Sequence, residues 1–313
     1  MYHSIDFFYV DPIDEESEQT HVNTWDDWHI VASSRPSVAL PEFKQNNIEI
    51  AGTSGFIDIS RVLTGFPLYG ARSGSIEFIV LNQYNIPDAE HWAEVYHKIS
   101  RFLHGRQVRM VLTDDEPNFY YIGTFTVDQW QSGESNSTIA INYELQPYKW
   151  ARRKSNEDWL WDPFDLEYGL ILNEKYTNLK PKGKVSGSTA WVYTEVDISG
   201  YIGEAPVCPE IYFKVLDTTT SQVNMMIVFE FVDDLGIETS FGITAKHNQG
   251  QTSISFSSGD SAFEILTDIP GYSGYSGIRF VTGVMSGQTQ ATMTYYGDLD
   301  CMTADVSFRE GRL

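Results

Sequence analysis

Residues 138–145 read TIAINYEL, a stretch in which every second side chain is large and apolar. Because successive side chains of a strand point to opposite faces of a sheet, this spacing predicts a strand with one face in a core. Residues 119–127 have the same character, and a polar, glycine-bearing turn lies between the two stretches at residues 131–136. The two stretches therefore predict a β-hairpin.

The chain before this hairpin contains the one long helix that the sequence predicts. Asp88 follows Pro87, and aspartate at that position accepts hydrogen bonds from the free N–H groups of a first helical turn. Gly105 is placed to end the helix, since glycine readily adopts the positive φ found there. Between them, apolar side chains recur at helical spacing on one face: Trp92, Val95, Tyr96, Ile99, Phe102 and Leu103.

The second half of the chain predicts strands and no helix. Short apolar or alternating stretches are separated by turn signals such as residues 233–236. Nine of them read as strands: residues 191–198, 211–216, 223–232, 237–243, 252–256, 262–266, 278–284, 292–296 and 304–308. Many short strands with glycine-bearing turns are typical of a β-sandwich or jelly roll.

The predicted fold class is mainly β with one long helix, in two domains. A chain of 313 residues exceeds the size at which one core keeps growing. The first domain is predicted over residues 1–152, and the second, a β-sandwich, over residues 171–313. Residues 153–170, which mix acids with tryptophans, are predicted to connect them.

The charge of the chain limits its partners. It has 21 Lys and Arg against 43 Asp and Glu, a net charge of -22, and the excess of acid is present in both halves. Such a chain offers no basic footprint for phosphates. This argues against sequence-specific nucleic-acid binding and against attraction to an anionic membrane surface.

The cysteines and the first residues favour assembly in a reducing cytosol. Cys208 and Cys301 are too few for a disulfide scaffold, and we expect two free thiols, with a single bridge between them as the alternative that geometry decides. The first residues lack the basic and apolar regions of a signal peptide, and no apolar run is long enough to cross a bilayer.

The sequence contains no motif that specifies a catalytic, cofactor or metal site. His91 and His97 are six residues apart and point to different sides of a helix. His97 and His104 share a face, but no third zinc ligand is evident near them. The glycines form no phosphate loop, no serine stands in a nucleophile elbow, and acidic pairs such as Asp114-Asp115 are typical of solvated turns. We therefore predict that the chain is not an enzyme and binds no cofactor.

Four aromatic residues of the second half are the candidate contact residues: Trp191, Tyr193, Tyr272 and Tyr275. Aromatic faces stack on sugar rings, so these residues predict a carbohydrate or partner contact. Exposed aromatics on a sandwich more often pack against a neighbouring domain or subunit. Both interpretations stay open.

Blocks of the first half resemble, in order and spacing, those of siphophage and prophage distal tail proteins, the Dit family. The resemblance covers about residues 2–152, and one block departs from the family because Ala51 stands where proline is common. The blocks are Trp25-Asp26-Asp27-Trp28-His29-Ile30, Ser33-Ser34-Arg35-Pro36, residues 48–60, Arg72 with residues 76–81, Leu103-His104-Gly105, residues 119–123 and Pro147-Tyr148-Lys149-Trp150.

The resemblance implies a structural protein of the virion tail tip, assembled in the host cytoplasm. In this family the first domains form a ring, typically a hexamer, between the tail-tube protein and the tail-associated hub protein. The second domain is usually a galectin-like sandwich that points outward and can carry a receptor-binding protein. DNA passes through the ring without sequence-specific contacts.

Two other function classes remain as alternatives. In one, the second domain is a carbohydrate-binding baseplate module that contacts host cell-wall sugars. In the other, the chain is a cell-wall hydrolase, for which the sequence offers no specific motif.

Overall fold

The chain forms two compact units in this computed structural model. The first comprises Met1–Arg152 with Arg312–Leu313, and the second comprises Arg153–Gly311. The structure describes residues 3–9, 21–52, 54–61, 67–80, 89–132, 137–156, 164–165, 170–171, 176–199, 205–216, 222–233, 236–249, 251, 253–259, 261–267, 269, 272–281, 288–299 and 302–313.

The first unit is a curled antiparallel sheet with one helix. Its elements are β1 (Ile5–Phe8), β2 (His21–Asn23), β3 (Ile30–Ala32), β4 (Asn47–Glu49), β5 (Phe56–Asp58), β6 (Arg72–Val80), α1 (Ala89–Leu103), β7 (Arg106–Leu112), β8 (Phe119–Val127), β9 (Gln131–Ser132), β10 (Ser137–Leu145) and β11 (Lys149–Ala151). The main strand order is β2-β1-β7-β8-β10-β6-β3, while β4 and β5 form a separate two-stranded sheet.

Helix α1 lies where the apolar spacing predicts it, packed on β7 and β8. Val95, Ile99 and Leu103 are buried in the main core of this unit, and Gly105 has a φ of 70°. Burial of one apolar stripe explains the helix, because most helical stability in proteins comes from such packing. The predicted N-cap, Asp88, lies outside the described residues.

The predicted hairpin also forms, with β10 paired to β8 on one side and to β6 on the other. Tyr143 stands opposite Phe125 in the pairing with β8. The apolar face of β10 enters the core, as its alternation predicts.

Residues 24–32 include Trp25, Trp28 and Val31, residue types that favour strands. Only Ile30–Ala32 forms a strand. Asn23 Oδ1 accepts hydrogen bonds from the backbone N–H groups of Trp25 (2.8 Å) and Asp26 (3.0 Å). These bonds close a turn, in which His29 adopts a φ of 53°, because asparagine side chains compete with the backbone for its hydrogen bonds.

Arg72, part of one family-like block, is an internal brace of the first unit. Its side chain is buried, and its Nε and Nη1 donate to the carbonyl oxygens of Pro147 (2.8 Å) and Ala39 (3.1 Å). The guanidinium also lies over the ring of Tyr121, with 5.5 Å to its centroid. Burial lowers the pKa of this arginine, so these contacts stabilise a charge that is costly to bury.

The second unit is a β-sandwich. Its elements are β12 (Phe164–Asp165), β13 (Leu170–Ile171), β14 (Thr194–Asp197), β15 (Glu210–Val215), β16 (Gln222–Asp233), β17 (Glu238–Asn248), β18 (Ile254–Ser258), β19 (Phe263–Leu266), β20 (Ser276–Phe280), β21 (Gln288–Gly297), β22 (Met302–Ser307) and β23 (Gly311–Arg312), of which Arg312 belongs to the first unit. A five-stranded sheet, β14-β21-β16-β17-β18, and a four-stranded sheet, β19-β20-β15-β22, bury their inner faces in one core.

The nine strands of this sandwich correspond to the nine that the sequence predicts, and the pairing within both sheets is antiparallel. The prediction of a mainly β chain with one helix is therefore confirmed for the described residues. The two-residue strands β12, within the predicted connection, and β13, at its end, were not expected from the sequence. Cys208 is a free thiol, while Cys301 lies outside the described residues.

Candidate functional site

The first candidate surface is the outer hairpin, which we define as strands β4 and β5. The two strands pair antiparallel, with Ile48 opposite Ile57 and Glu49 opposite Phe56. All six residues of these strands are exposed. An isolated two-stranded hairpin is marginally stable in water, so a hairpin without packing of its own needs another contact.

Apolar side chains concentrate on and around the outer hairpin. The described residues include 14 exposed large hydrophobics, and seven of them fall between residues 40 and 68: Leu40, Phe43, Ile48, Ile50, Phe56, Ile57 and Leu68. Phe56 is the most exposed in the hairpin itself, at 62%. Such a concentration of exposed apolar side chains is typical of a protein–protein interface.

Hydrogen bonds hold the base of the outer hairpin. The N–H of Asn46 donates to Ser60 Oγ (2.7 Å), and the N–H of Ile59 donates to the carbonyl of Asn46 (2.9 Å). The hydroxyl and N–H of Ser60 lower the pKa of the Asp58 carboxyl, which accepts the Ser60 N–H at 2.8 Å. The hairpin is therefore oriented at its base, while its apolar side chains remain in solvent.

The second candidate surface is the tyrosine cluster, defined as Tyr212, Tyr272, Tyr275 and Lys214. The ring of Tyr272 stacks on Tyr212, with centroids 4.2 Å apart, and meets Tyr275 edge-on at 5.1 Å. Lys214 Nζ lies 5.2 Å from the Tyr275 centroid. Asn156 Nδ2 donates to the Tyr272 hydroxyl at 2.6 Å.

The ring of Tyr212 is able to lie against the neighbouring strand because its cross-strand neighbour is Gly277. A Cβ at Gly277 would lie 2.9 Å from Tyr212 Cδ1 and 2.5 Å from Ile269 Cδ1. Since real Cβ atoms do not approach that closely, the glycine makes room for the ring. The tyrosine cluster thus lies on the outer face of the four-stranded sheet, opposite the core positions Ile211 and Phe213.

A charge network lies beside the tyrosine cluster on the same face. Glu210 accepts hydrogen bonds from the Tyr212 hydroxyl (2.6 Å) and from Arg279 Nε (2.7 Å). Burial alone would raise the pKa of the Glu210 carboxyl, but Tyr212 and Arg279 hold it below its usual range. Burial and the bond to Glu210 raise the pKa of Tyr212, so its hydroxyl stays protonated and remains a donor.

The structure divides the four predicted contact residues between two faces of the sandwich. Tyr272 and Tyr275 are joined in the tyrosine cluster. Trp191 instead packs on Tyr296, with centroids 6.3 Å apart, and Lys184 Nζ lies 4.5 Å from its ring centroid. Tyr296 belongs to the outer face of the five-stranded sheet, because its neighbour Tyr295 is in the core. Tyr193 is 63% exposed.

Sequence reasoning missed Tyr212 and Lys214. A signal was present, since residues 210–215 alternate between polar or tyrosine positions and apolar ones. It identified a strand but gave no indication that Tyr212 and Lys214 would meet the turn at residues 272–275. That meeting depends on the pairing of β15 with β20, which is a tertiary property.

The described part of the chain offers no group of three or more His, Cys, Asp and Glu side chains placed to hold a metal ion. Within the same residues, no helix has both the length and the apolarity that a membrane crossing needs.

Comparisons with known proteins give an informative structural match. No protein-family model matches the sequence, and no curated protein matches it significantly. The fold is similar to the crystal structure of the Dit protein (gp 19.1) of SPP1, described as a paradigm of the hub adsorption apparatus in phages that infect Gram-positive bacteria. That match has a TM-score of 0.50 at 11% identity, and it covers 99% of both chains.

A second match, to a β-fructofuranosidase of Schwanniomyces occidentalis in complex with fructosyl-erythritol, covers 93% of this chain and 63% of that one. Its TM-score is 0.24 at 8% identity, too low to indicate a shared fold. The match to the Dit protein, in contrast, extends over both units of the chain. This protein has a Dit-like fold.

Proposed function

We propose that this chain is a structural, non-enzymatic protein of a phage or prophage tail tip. Its first unit forms a ring, a hexamer in the arrangement we favour, that joins the tail-tube protein to the tail-associated hub protein. The second unit, a galectin-like sandwich in this proposal, carries receptor-binding components. The Dit-like fold and the ordered sequence blocks of residues 2–152 support this function.

The observation that carries the proposal is the outer hairpin. It exposes Ile48, Phe56 and Ile57 while the sheet of the same unit is well packed. A second copy of the chain is the occupant that we assign to it, because ring assembly needs a surface that meets another surface of an identical subunit. Burying apolar surface of this kind stabilises association by roughly 25 cal/mol per Å² before its entropic costs.

Mass photometry and negative-stain electron microscopy of the purified chain test this assignment. We expect closed rings or oligomers that Ile57→Asp abolishes, because an unpaired carboxylate in an apolar interface is costly to desolvate. Ile265→Asp is the matched control. Ile265 is exposed to 65%, compared with 51% for Ile57, and it lies on β19 of the second unit. Equal loss of assembly in both variants would overturn the hairpin interface.

A second measurement locates the protein directly and does not depend on assembly in solution. Immunogold labelling with antibodies against the purified chain should mark the tail end of phage particles. Labelling of capsids, or of no particle in lysates that contain the protein, would contradict a role at the tail tip.

The tyrosine cluster supports a second candidate function, carbohydrate contact by the second unit. The half-buried rings of Tyr272 and Tyr275, with Tyr212 buried against Tyr272 and the Lys214 amine beside Tyr275, provide an aromatic surface with polar groups next to it. Sugar recognition needs both, since ring faces cover C–H groups and polar side chains bind hydroxyls.

Binding of the full chain to a glycan array and to purified cell walls tests this candidate. We expect Tyr275→Ala to reduce binding severalfold, while Tyr193→Ala, which removes an exposed tyrosine elsewhere in the unit, leaves it unchanged. If the full chain binds neither the array nor the cell walls, the carbohydrate function is overturned. Lysis of cell-wall substrate in a zymogram would overturn the non-enzymatic role.

A further inference from the structure

The end of helix α1 and the start of β7 form a basic region in an otherwise acidic unit. Residues 95–113 contain four of the nine Lys and Arg side chains of residues 1–150, together with His97 and His104. The same 19 residues contain no Asp or Glu. This local charge is opposite to that of the whole chain, whose net charge is -22.

The fold gathers part of this region around one cavity. His97, the adjacent pair Ser100 and Arg101, and His104 follow at three- and four-residue steps, so they lie on one side of the helix end. With Tyr96 and Arg106 they line a shallow space of about 470 Å³ that is largely open to solvent. We call this space the basic cavity.

Internal contacts orient these groups without neutralising them. Arg106 Nη1 donates to the Tyr9 hydroxyl (2.9 Å), and His104 Nδ1 accepts the N–H of Val127 (3.1 Å). Among the described residues, neither Arg101 nor Arg106 forms an ion pair. The carbonyl end of α1 carries only about half a negative charge, which leaves a positive surplus.

Ser100 provides an independent sign of a ligand. Its Oγ is shielded from solvent and has no hydrogen-bond partner within the described structure. A buried hydroxyl without a partner costs about 1–3 kcal/mol, so it is ordinarily satisfied by something. Ser100 lines the basic cavity, so a rotation about its Cα–Cβ bond would bring the hydroxyl to a bound acceptor.

From these observations we infer that the basic cavity binds a carboxylate-rich segment of a partner protein. Arginine side chains hold carboxylates through paired hydrogen bonds. A short acidic segment interacts mainly with charges within a Debye length of about 8–10 Å. The local excess of positive charge therefore determines its binding. A nucleic acid would extend over the acidic remainder of the chain and be repelled.

Fluorescence anisotropy with labelled hexaglutamate tests the inference on the full chain. We expect binding at low ionic strength that weakens as salt is added, and a loss of about tenfold in affinity for Arg101→Glu. Arg61→Glu is the matched control, because it makes the same charge change at another exposed arginine of this unit. Ser100→Ala should weaken binding severalfold without lowering stability, since the hydroxyl has no partner to lose.

Three outcomes would overturn the inference. They are no binding at low ionic strength, equal weakening by Arg61→Glu and Arg101→Glu, or displacement of the probe by inorganic phosphate or an oligonucleotide at lower concentrations than by unlabelled hexaglutamate. The test is distinguishable from ring formation, because it measures peptide binding and the variants Arg101→Glu and Ser100→Ala lie outside β4 and β5.

Discussion

At the scale of single residues, Glu210 is the charged centre of the four-stranded sheet. Its side chain is 16% exposed and bonds to Tyr212 and Arg279. We expect Glu210→Gln to lower the free energy of unfolding by about 1–3 kcal/mol at neutral pH, the range for hydrogen bonds to charged groups. Glu264→Gln, at a 49% exposed partner of the same arginine, should cost at most about 1 kcal/mol.

The pH dependence of this effect has a definite sign. The folded-state pKa of Glu210 lies below its ordinary value of 4.5, so its contribution is complete above that pH and is lost as pH falls through the folded-state value. Urea unfolding at several pH values should therefore show the difference between wild type and Glu210→Gln shrinking in acid. A difference that grows below pH 4.5 would contradict the assigned contacts.

Gly277 determines whether the tyrosine cluster can form. Gly277→Ala places a methyl group against Tyr212 and Ile269, and we expect destabilisation of about 1–3 kcal/mol together with a changed near-ultraviolet dichroism of the tyrosines. Gly259→Ala is the control, because a Cβ there meets nothing within 4 Å. An unchanged spectrum for Gly277→Ala would show that Tyr212 does not lie over this glycine.

At the scale of elements, helix α1 depends on its buried stripe. Ile99 is fully buried in the core of the first unit, so Ile99→Ala should destabilise that unit by about 2–5 kcal/mol in denaturant unfolding. Lys98→Ala, which removes only an exposed ion pair with Glu94, should change stability by about 0.5 kcal/mol or less. Similar effects of the two variants would contradict the packing of this helix.

At the scale of the whole molecule, charge opposes assembly. Each copy has a net charge of -22, so copies repel one another at low ionic strength. Added salt screens this repulsion, and we expect self-association measured by sedimentation velocity to strengthen as salt increases. Peptide binding at the basic cavity, in contrast, should weaken as salt increases. Dissociation of the oligomer by salt would indicate an interface held by ion pairs instead.

The acidic charge of the whole molecule also predicts the charge of the inner face of the proposed ring. If DNA passes through the proposed ring, a wall that repels phosphate does not retain it. We therefore expect acidic side chains on the inner face of the assembled ring in a cryo-electron microscopy map. A neutral or basic inner face would contradict this part of the proposal.

The strands and the helix were predictable because local periodicity determines them. Strand β10 and helix α1 each bury one side. Apolar residues therefore recur in their sequences at the spacing of a strand or of a helix. The turn at residues 24–29 was not predictable from hydrophobicity, because Asn23 forms it with its side chain. The candidate contact residues were only partly predictable, since sequence offers no way to know that Tyr272 meets Tyr212 while Trp191 meets Tyr296.

The outer hairpin has a consequence for unassembled copies. Exposed strands without packing of their own open easily, and such segments are preferred sites of proteolytic cleavage. Free copies should therefore be cut first near residues 47–58, while docked copies are protected there. Degradation and assembly then compete for the same segment, and copies that find no neighbour are removed first.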